Sequence, residues 1–410
     1  MGTRGAEEGA VVTNNTGDGP VGVKSPRLFV VAGEPSGDIH AANLIRAIRG
    51  DRAAAVFAGL GGPQMAEAGC ALQRDMMTMS WMGFARALVS APMVYALQRK
   101  TMSFLESYRP DAVVLVDFPG FNLSLARLLA KANIPVIYYI SPQIWAWAPG
   151  RIEKIRQRVA KMLVIFPFEE ALYRKAGVPV EYVGHPLFDE LAMVEAGSKS
   201  GEMLRMPEGG RVIGLLPGSR AQVVKRSVPV MLKSAAEIRR EIPEATFLIS
   251  CQHERFAEVI GQALRDTDVP VEMVKGPAQG LMKQCELCLV ASGTATLELA
   301  YYGTPMVVLY RIPPWSYLLG KALLKSRYFS LVNILAGREV VPEMLLWRDD
   351  SKRVAGHALA LLRNEDTRGK MVAELQKIRE MVGGVGASAR AAKATLQFVD
   401  DRAGRRAGGK

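Results

Sequence analysis

Two stretches in the second half of this 410-residue chain carry the residue types that hold phosphate. In Arg211-Val-Ile-Gly-Leu-Leu-Pro-Gly-Ser-Arg220, Val212 to Leu216 read as a short apolar strand. Pro217-Gly218 breaks it, and a helical pattern resumes near Val223. A strand that turns through Gly-Ser into a helix leaves backbone N–H groups unpaired at the helix N-terminus. Together with the helix dipole they favour an anion. Ser219 adds a hydroxyl and Arg220 a planar cation able to grip two oxygens. Ala291-Ser-Gly-Thr-Ala-Thr-Leu-Glu298 repeats the device. Ser292, Gly293 and Thr294 suit a phosphate, Thr296 supplies a third hydroxyl, and Glu298, one turn on, can accept from both hydroxyls of a ribose. Either stretch alone could be an ordinary strand-to-helix turn. Two in one domain predict a nucleotide diphosphate site.

The first half offers acids instead. Val113-Val-Leu-Val-Asp117 puts a carboxylate at the C-terminal end of a strand, where open α/β sheets bind ligands. Asp117 is there either a general base for a hydroxyl or an anchor for the loop. Ala32-Gly-Glu-Pro-Ser-Gly-Asp38 follows the first strand but is not a dinucleotide fingerprint. Its two acids, Glu34 and Asp38, suit sugar hydroxyls better than phosphate, with Asp38 equally readable as a helix cap. Asp266-Thr267-Asp268 matches a metal-binding D-x-D only superficially, because it precedes its strand, and reads as a loop.

The elements that must position these groups alternate. Apolar strands at Arg27–Ala32, Ala54–Gly59, Ala112–Val116, Pro135–Ile140, Met162–Phe166 and Val180–Val183 are separated by helix-length segments. A second set follows at Val212–Leu216, Ala245–Ser250, Pro270–Val274, Glu286–Val290 and Pro305–Leu309. That is the signature of βαβ units and parallel sheets. The expected organisation is a disordered leader (1–25), an N-terminal Rossmann-like domain (26–190) and a second such domain (191–365). Closing helices (366–400) and a disordered basic tail (401–410) complete it. The Gly/Ser/Glu-rich stretch Glu195–Gly210 reads as the linker. Two doubly wound sheets facing each other bring both sets of helix N-termini to one cleft.

Composition narrows the partners. A net charge of +12 and a pI near 9.6 call for an acidic partner. No zinc-finger spacing or RNA-binding aromatic signature appears, so nucleic acid is not expected. Four cysteines (Cys70, Cys251, Cys285, Cys288) point to a reducing compartment. Cys285-Glu-Leu-Cys288 reads as core packing rather than a redox or metal motif, and the histidines show no ligand spacing. The leader lacks a signal-peptide core and no 18-residue uncharged apolar run exists, so a cytoplasmic protein is expected. Trp81 to Leu97 is 17 residues with one charge and reads either as a buried helix or as a lip dipping into a bilayer surface. The basic run Arg151–Lys161 and the mixed segment 315–329 lean towards the membrane.

Taken in order, the motifs resemble the lipid-A-disaccharide synthase family of GT-B glycosyltransferases, over most of residues 27–345. To the stretches above the resemblance adds Gly59-Leu-Gly-Gly-Pro63, Trp81-Met-Gly-Phe84, Asp117-Phe-Pro-Gly-Phe-Asn122, Ser141-Pro-Gln-Ile-Trp-Ala-Trp147, Phe166-Pro-Phe-Glu169, Tyr182-Val-Gly-His-Pro186 and Asn333-Ile-Leu-Ala-Gly-Arg338. It implies an inverting, metal-independent and cofactor-free transfer. Diacylglucosamine would pass from UDP to the 6-hydroxyl of diacylglucosamine 1-phosphate, on the cytoplasmic face of the inner membrane. It further implies Asp117 as base, Glu34 near acceptor or sugar, Arg220 and Asn333 as polar groups of the cleft, and residues 292–298 on UDP. A homodimer exchanging C-terminal helices is also implied. Three positions depart from the family pattern: Arg86 and Val223 stand where acids are usual, and Leu346 where a glutamine is expected. They keep open a divergent, non-catalytic relative, alongside another UDP-sugar enzyme of the same fold such as a peptidoglycan-type transferase or an epimerase.

Overall fold

A computed structural model describes residues 25–77, 84–147, 149–197, 210–313 and 327–408. Seven strands form the first sheet: β1 (Arg27–Ala32), β2 (Val56–Gly61), β3 (Ala71–Asp75), β4 (Ala112–Val116), β5 (Val136–Tyr139), β6 (Lys161–Val164) and β7 (Val180–Tyr182). Six form the second: β8 (Val212–Leu216), β9 (Thr246–Cys251), β10 (Val271–Lys275), β11 (Leu287–Ala291), β12 (Met306–Arg311) and β13 (Glu343–Leu346). The orders are β3-β2-β1-β4-β5-β6-β7 and β10-β9-β8-β11-β12-β13. Strand pairs in both sheets are parallel. Helices cover both faces, so the central strands are continuous apolar runs rather than alternating ones. Every residue of β4 and of β11 is buried. Each Val or Leu so placed contributes about 1.5–3 kcal/mol.

In each sheet the strand order reverses at one point, between β1 and β4 and between β8 and β11. Crevices open at such reversals, and the chemistry-bearing stretches lie at these two. β3 and β13 were not expected. Both are edge strands, and the Gln and Arg of Ala71-Leu-Gln-Arg-Asp75 hide a strand pattern that the sheet edge tolerates. Cys285 and Cys288 are buried beneath Gly214, as core residues.

The chain passes between domains twice. Helix Leu187–Gly197 leads out of the first, so the expected linker begins helical, and its remainder lies outside the described residues. Helix Glu365–Met381 packs against helix Ala295–Tyr302 of the second domain, with the Arg379 guanidinium 4.1 Å over the Tyr301 ring. Helix Ala387–Gly408 then returns to the first domain. Asp189 accepts from the backbone N–H groups of Gly386, Ala387 and Ser388, capping that helix, and Arg390 donates to Val183 O at 2.8 Å. Arg52 pairs with Asp400 at 2.7 Å. The basic segment expected to be a disordered tail is therefore helical through Gly408, its near end held against helix Pro35–Asp51.

Candidate active site

The second switch point builds a cavity of about 480 Å³ lined by Gly218, Ser219, Arg220, Ser292, Gly293, Thr294 and Glu298. Gly218 has φ +100, a conformation costly for any residue with a Cβ, and it turns the chain back over Val223 and Ala291. Val223, one of the three departures, thus fills the space beneath the turn. Arg220 caps helix Ala221–Glu241 from an extended conformation, and its carbonyl accepts from Val223 and Val224. The N–H groups of Ala221 and Gln222 are left without intrahelical acceptors beside an exposed guanidinium. Glu298 is buried and accepts from Gln279 Nε2 at 3.2 Å. Burial, then the nearby Glu190 carboxylate, push it up to about 7, against the pull of the Gln279 hydrogen bond.

Three of the expected site residues do something other than face a ligand. The Ser292 hydroxyl donates to Phe329 O at 3.1 Å and its N–H to Leu309 O, so Ser292 shapes the cavity wall while the next turn supplies donors. Thr296 is fully buried, and its hydroxyl donates to Gly293 O at 2.8 Å. Asn333 is also fully buried. It donates to Val341 O at 2.8 Å and accepts from the N–H groups of Val340 and Val341, stapling the turn that leads to β13. The resemblance put Asn333 among the polar groups of the cleft. Its amide is instead spent on backbone, because an unpaired backbone group buried in that turn would cost more.

At the first switch point Asp117 and Phe118 both have φ +46. Left-handed backbone at two consecutive residues with side chains costs about 1–3 kcal/mol each and persists only where the surroundings hold it. Here Asn122 Nδ2 donates to Asp117 O at 2.8 Å and to Val116 O at 3.1 Å. Tyr138 OH donates to Asp117 O at 2.6 Å, and Asp117 N donates to Tyr139 O. The Phe118 ring lies where a Cβ on Gly33 would be, within 2.2 Å. Gly33 is therefore required by close approach of that ring. Burial raises the Asp117 carboxyl to about 6, with Glu34 adding to the rise and His40, the Phe118 N–H and Arg220 opposing it. Arg220 belongs to the other domain, so the acid and the cation share one electrostatic environment across the cleft.

Glu34, at the N-cap of helix Pro35–Asp51, makes no side-chain cap hydrogen bond and stays half-buried. Asp38 is only a cap. It is 2 % exposed and accepts from the N–H groups of Gly62, Gln64 and Met65, closing the start of helix Pro63–Glu67. Asp266–Asp268 is a loop before β10, as expected, with Thr267 Oγ1 accepting from Val269 N. Arg86 lies in helix Phe84–Tyr108, but its side chain, like 78–83 and 314–326, lies outside the described residues. Leu346 is buried at the end of β13, where an apolar side chain belongs.

Sequence reasoning missed the groups between the two walls. Gln143, from the first domain, lines the nucleotide cavity. Its loop is held by Glu169, which accepts from Ser141 Oγ at 2.6 Å, Trp145 Nε1 at 3.1 Å and Phe166 N at 3.3 Å. Burial takes Glu169 up to about 7. His40 Nδ1 and Glu190 Oε1 are 2.7 Å apart, off the line of a hydrogen bond, and together link the surroundings of Asp117 to those of Glu298. Gln143, Trp145 and Glu169 sit in stretches already singled out. Nothing in the sequence marked Glu190.

Similarity to known proteins agrees with this geometry. Among solved structures, the UDP-GlcNAc 2-epimerase from Neisseria meningitidis bound to UDP-GlcNAc is 13% identical, with a TM-score of 0.62 over 92% of this chain and 100% of that one. The calicheamicin glycosyltransferase gives 16% and 0.59, over 93% and 100%. At these identities the likeness speaks for the GT-B fold alone. Sequence relatives are much closer. The lipid-A-disaccharide synthase of Syntrophus aciditrophicus is 38% identical over 92% of this chain and 99% of its own. Those of Trichlorobacter lovleyi and Myxococcus xanthus are each 36% identical over 91% of this chain and 98% of theirs. The family profile described as lipid-A-disaccharide synthetase matches residues 28–397. With two facing switch points, an acid on one and an anion cradle on the other, this chain belongs to the lipid-A-disaccharide synthase family.

Proposed function

We propose that the cleft transfers 2,3-diacylglucosamine from UDP to the 6-hydroxyl of 2,3-diacylglucosamine 1-phosphate, with Asp117 as the base. The observation that carries this reading is the Asp117 carboxyl, raised to about 6 at the first switch point and sensing Arg220 from the second. A base poised near that value is mostly ionised at neutral pH and still accepts a proton as the hydroxyl attacks. The 6-hydroxyl oxygen bonds to the anomeric carbon from the face opposite UDP, its proton passes to Asp117, and the bond to the UDP oxygen breaks, so the centre inverts. Negative charge on the departing diphosphate is met by Arg220 and by the N–H groups at two helix N-termini. Glu298 accepts from the ribose hydroxyls, and Glu34 orients acceptor or donor sugar.

The lipid chains fit the first domain. A cavity of about 330 Å³ lies between helix Phe84–Tyr108 and the sheet, lined by Phe29, Leu60, Met93, Leu97 and Phe104 among others. On the same helix Met93 and Tyr95 are 51% and 61% exposed. No helix among the described residues is long and apolar enough to cross a membrane. We assign the protein peripherally to the inner-membrane surface through this helix, and Met93→Asp/Tyr95→Asp should abolish co-flotation with phospholipid vesicles. A homodimer that exchanges helix Ala387–Gly408 would make in trans the contacts seen here in cis, and light scattering of the purified protein tests it.

The deciding experiment incubates purified protein with UDP-diacylglucosamine and its 1-phosphate acceptor and follows the disaccharide 1-phosphate by mass spectrometry. Disaccharide with equimolar UDP is expected. Epimerised UDP-sugar without disaccharide would sink the reading.

A further inference from the structure

The loop Ser141-Pro-Gln-Ile-Trp145 leaves the C-terminal end of β5, the strand beside β4, and the proposed reaction gives it no task so far. Its entry is strained. Ile140, a β-branched residue, stands at φ +65, with its N–H donating to Leu163 O at 3.0 Å. The apex is a tight turn in which Ile144 N donates to Pro142 O at 2.6 Å across Gln143. Tyr173 OH donates to the same oxygen at 3.4 Å. Ser141, Pro142 and Ile144 are buried and Gln143 is exposed, so the turn anchors its neighbours inward and presents one carboxamide to the nucleotide cavity. Glu169, 1% exposed, grips both ends of the turn, accepting from Ser141 Oγ and Trp145 Nε1 on a single oxygen. Burying a carboxylate is costly, and the side chain this one holds in place at the cavity is Gln143. Every other described residue lining that cavity belongs to the second domain, and among them Arg220 is the one cation. A diphosphate carries more negative charge than one guanidinium offsets, so neutral donors must meet the rest. The sugar hangs from the β-phosphate and must face Asp117 on the first domain. A side chain of that domain therefore meets the β-phosphate before the uridine.

We infer that the Gln143 amide donates to the β-phosphate of the UDP-sugar from across the cleft, and that Glu169 is the positioning residue that holds it there. The inference rests on the UDP-sugar reading above. Titration calorimetry with UDP and with UMP, without acceptor, tests it. Gln143 is exposed, so replacing it leaves the fold intact. Gln143→Ala should weaken UDP binding about tenfold and leave UMP, which lacks the β-phosphate, unchanged. Gln143→Glu removes the donors and sets a carboxylate against the phosphate, so UDP should bind about 100-fold more weakly. In turnover, KM for the UDP-sugar should rise in both variants while KM for the acceptor stays the same. UMP weakened as much as UDP would overturn the inference. So would a Gln143→Glu chain that binds UDP as tightly as wild type, since the side chain would then be accepting rather than donating.

Glu169→Gln should weaken UDP binding about fivefold. Because it acts through Gln143, the Gln143→Ala/Glu169→Gln chain should bind UDP no more weakly than Gln143→Ala alone. Additive losses would overturn the positioning role. Binding measured without acceptor also separates this inference from the reaction. Wild type that binds UDP more tightly than the Gln143 variants, yet transfers nothing, would sink the transferase and keep the β-phosphate contact. Transfer with equal UDP affinity in wild type and both Gln143 variants would do the reverse.

Discussion

The two walls of the cleft occupy the same topological position in two sheets wound in the same order, and they are built by opposite means. The second wall uses a glycine at φ +100, unpaired helix N–H groups and an exposed arginine. Nothing there is strained, because glycine turns freely and a helix start offers donors by default. The first wall carries a carboxylate on left-handed backbone that a side chain resists, pinned by Asn122 and Tyr138 and packed by Phe118 over Gly33. The difference follows from the task. Holding an anion needs only donors, whereas a poised base needs its charged form made costly, and burial does that only if the turn cannot relax away.

The comparison breaks most sharply at Asp117. Asp117→Asn should lower kcat about 10²–10⁴-fold while UDP affinity stays within about twofold, since the base acts only on the acceptor. The same change should stabilise the fold in alkaline buffer. The folded carboxyl titrates near 6 rather than 3.8, so the stability it contributes is present below about pH 4 and lost as pH rises through 6. Asparagine keeps the shape, tolerates positive φ and removes the charge, so thermal unfolding at pH 8 should move up by the equivalent of about 1–3 kcal/mol, and not at pH 4. A variant less stable at pH 8 would mean that the carboxylate is not desolvated.

Arg220→Met tests the other wall. A loss of about 10²–10³-fold in kcat is expected, together with weaker UDP binding and an acid limb displaced upwards because Arg220 opposes the rise at Asp117. Smaller again is Glu298→Gln. Two ribose hydroxyls that donate to a carboxylate favour its charged form, so UDP should bind more tightly as pH rises through about 7 and displace a proton. The glutamine variant should bind about tenfold more weakly at pH 8 and show no such pH dependence, as titration calorimetry in two buffers would reveal. The mildest change is Glu34→Gln. Removing the neighbouring negative charge should lower the acid limb of the rate profile below pH 6. An unmoved limb would take Glu34 out of the environment of Asp117.

Much of this was readable beforehand because central parallel strands must be apolar on both faces and their C-terminal ends must turn. Val113-Val-Leu-Val-Asp117 and Val212-Ile-Gly-Leu-Leu216 declare themselves by that rule. The edge strands β3 and β13 did not, since a sheet edge accepts Gln, Arg and Glu. Residue type also could not say whether a polar side chain faces substrate or backbone. Asp38, Thr296 and Asn333 look like site residues in the sequence, and each is consumed by a turn. The C-terminal basic run looked unstructured because charge and glycine hide a helix whose near end leans on a neighbour far away in sequence.

By itself, then, the sequence determined the two parallel sheets, the anion cradle and the candidate base, because each is written in short-range pattern: apolar runs, glycine turns and a carboxylate at a strand end. Only the tertiary structure decided which polar groups are free to act, what holds Asp117 in its strained turn, and that Glu190 and Gln143 stand between the walls. Those are matters of burial and of partners distant along the chain, which no local pattern encodes.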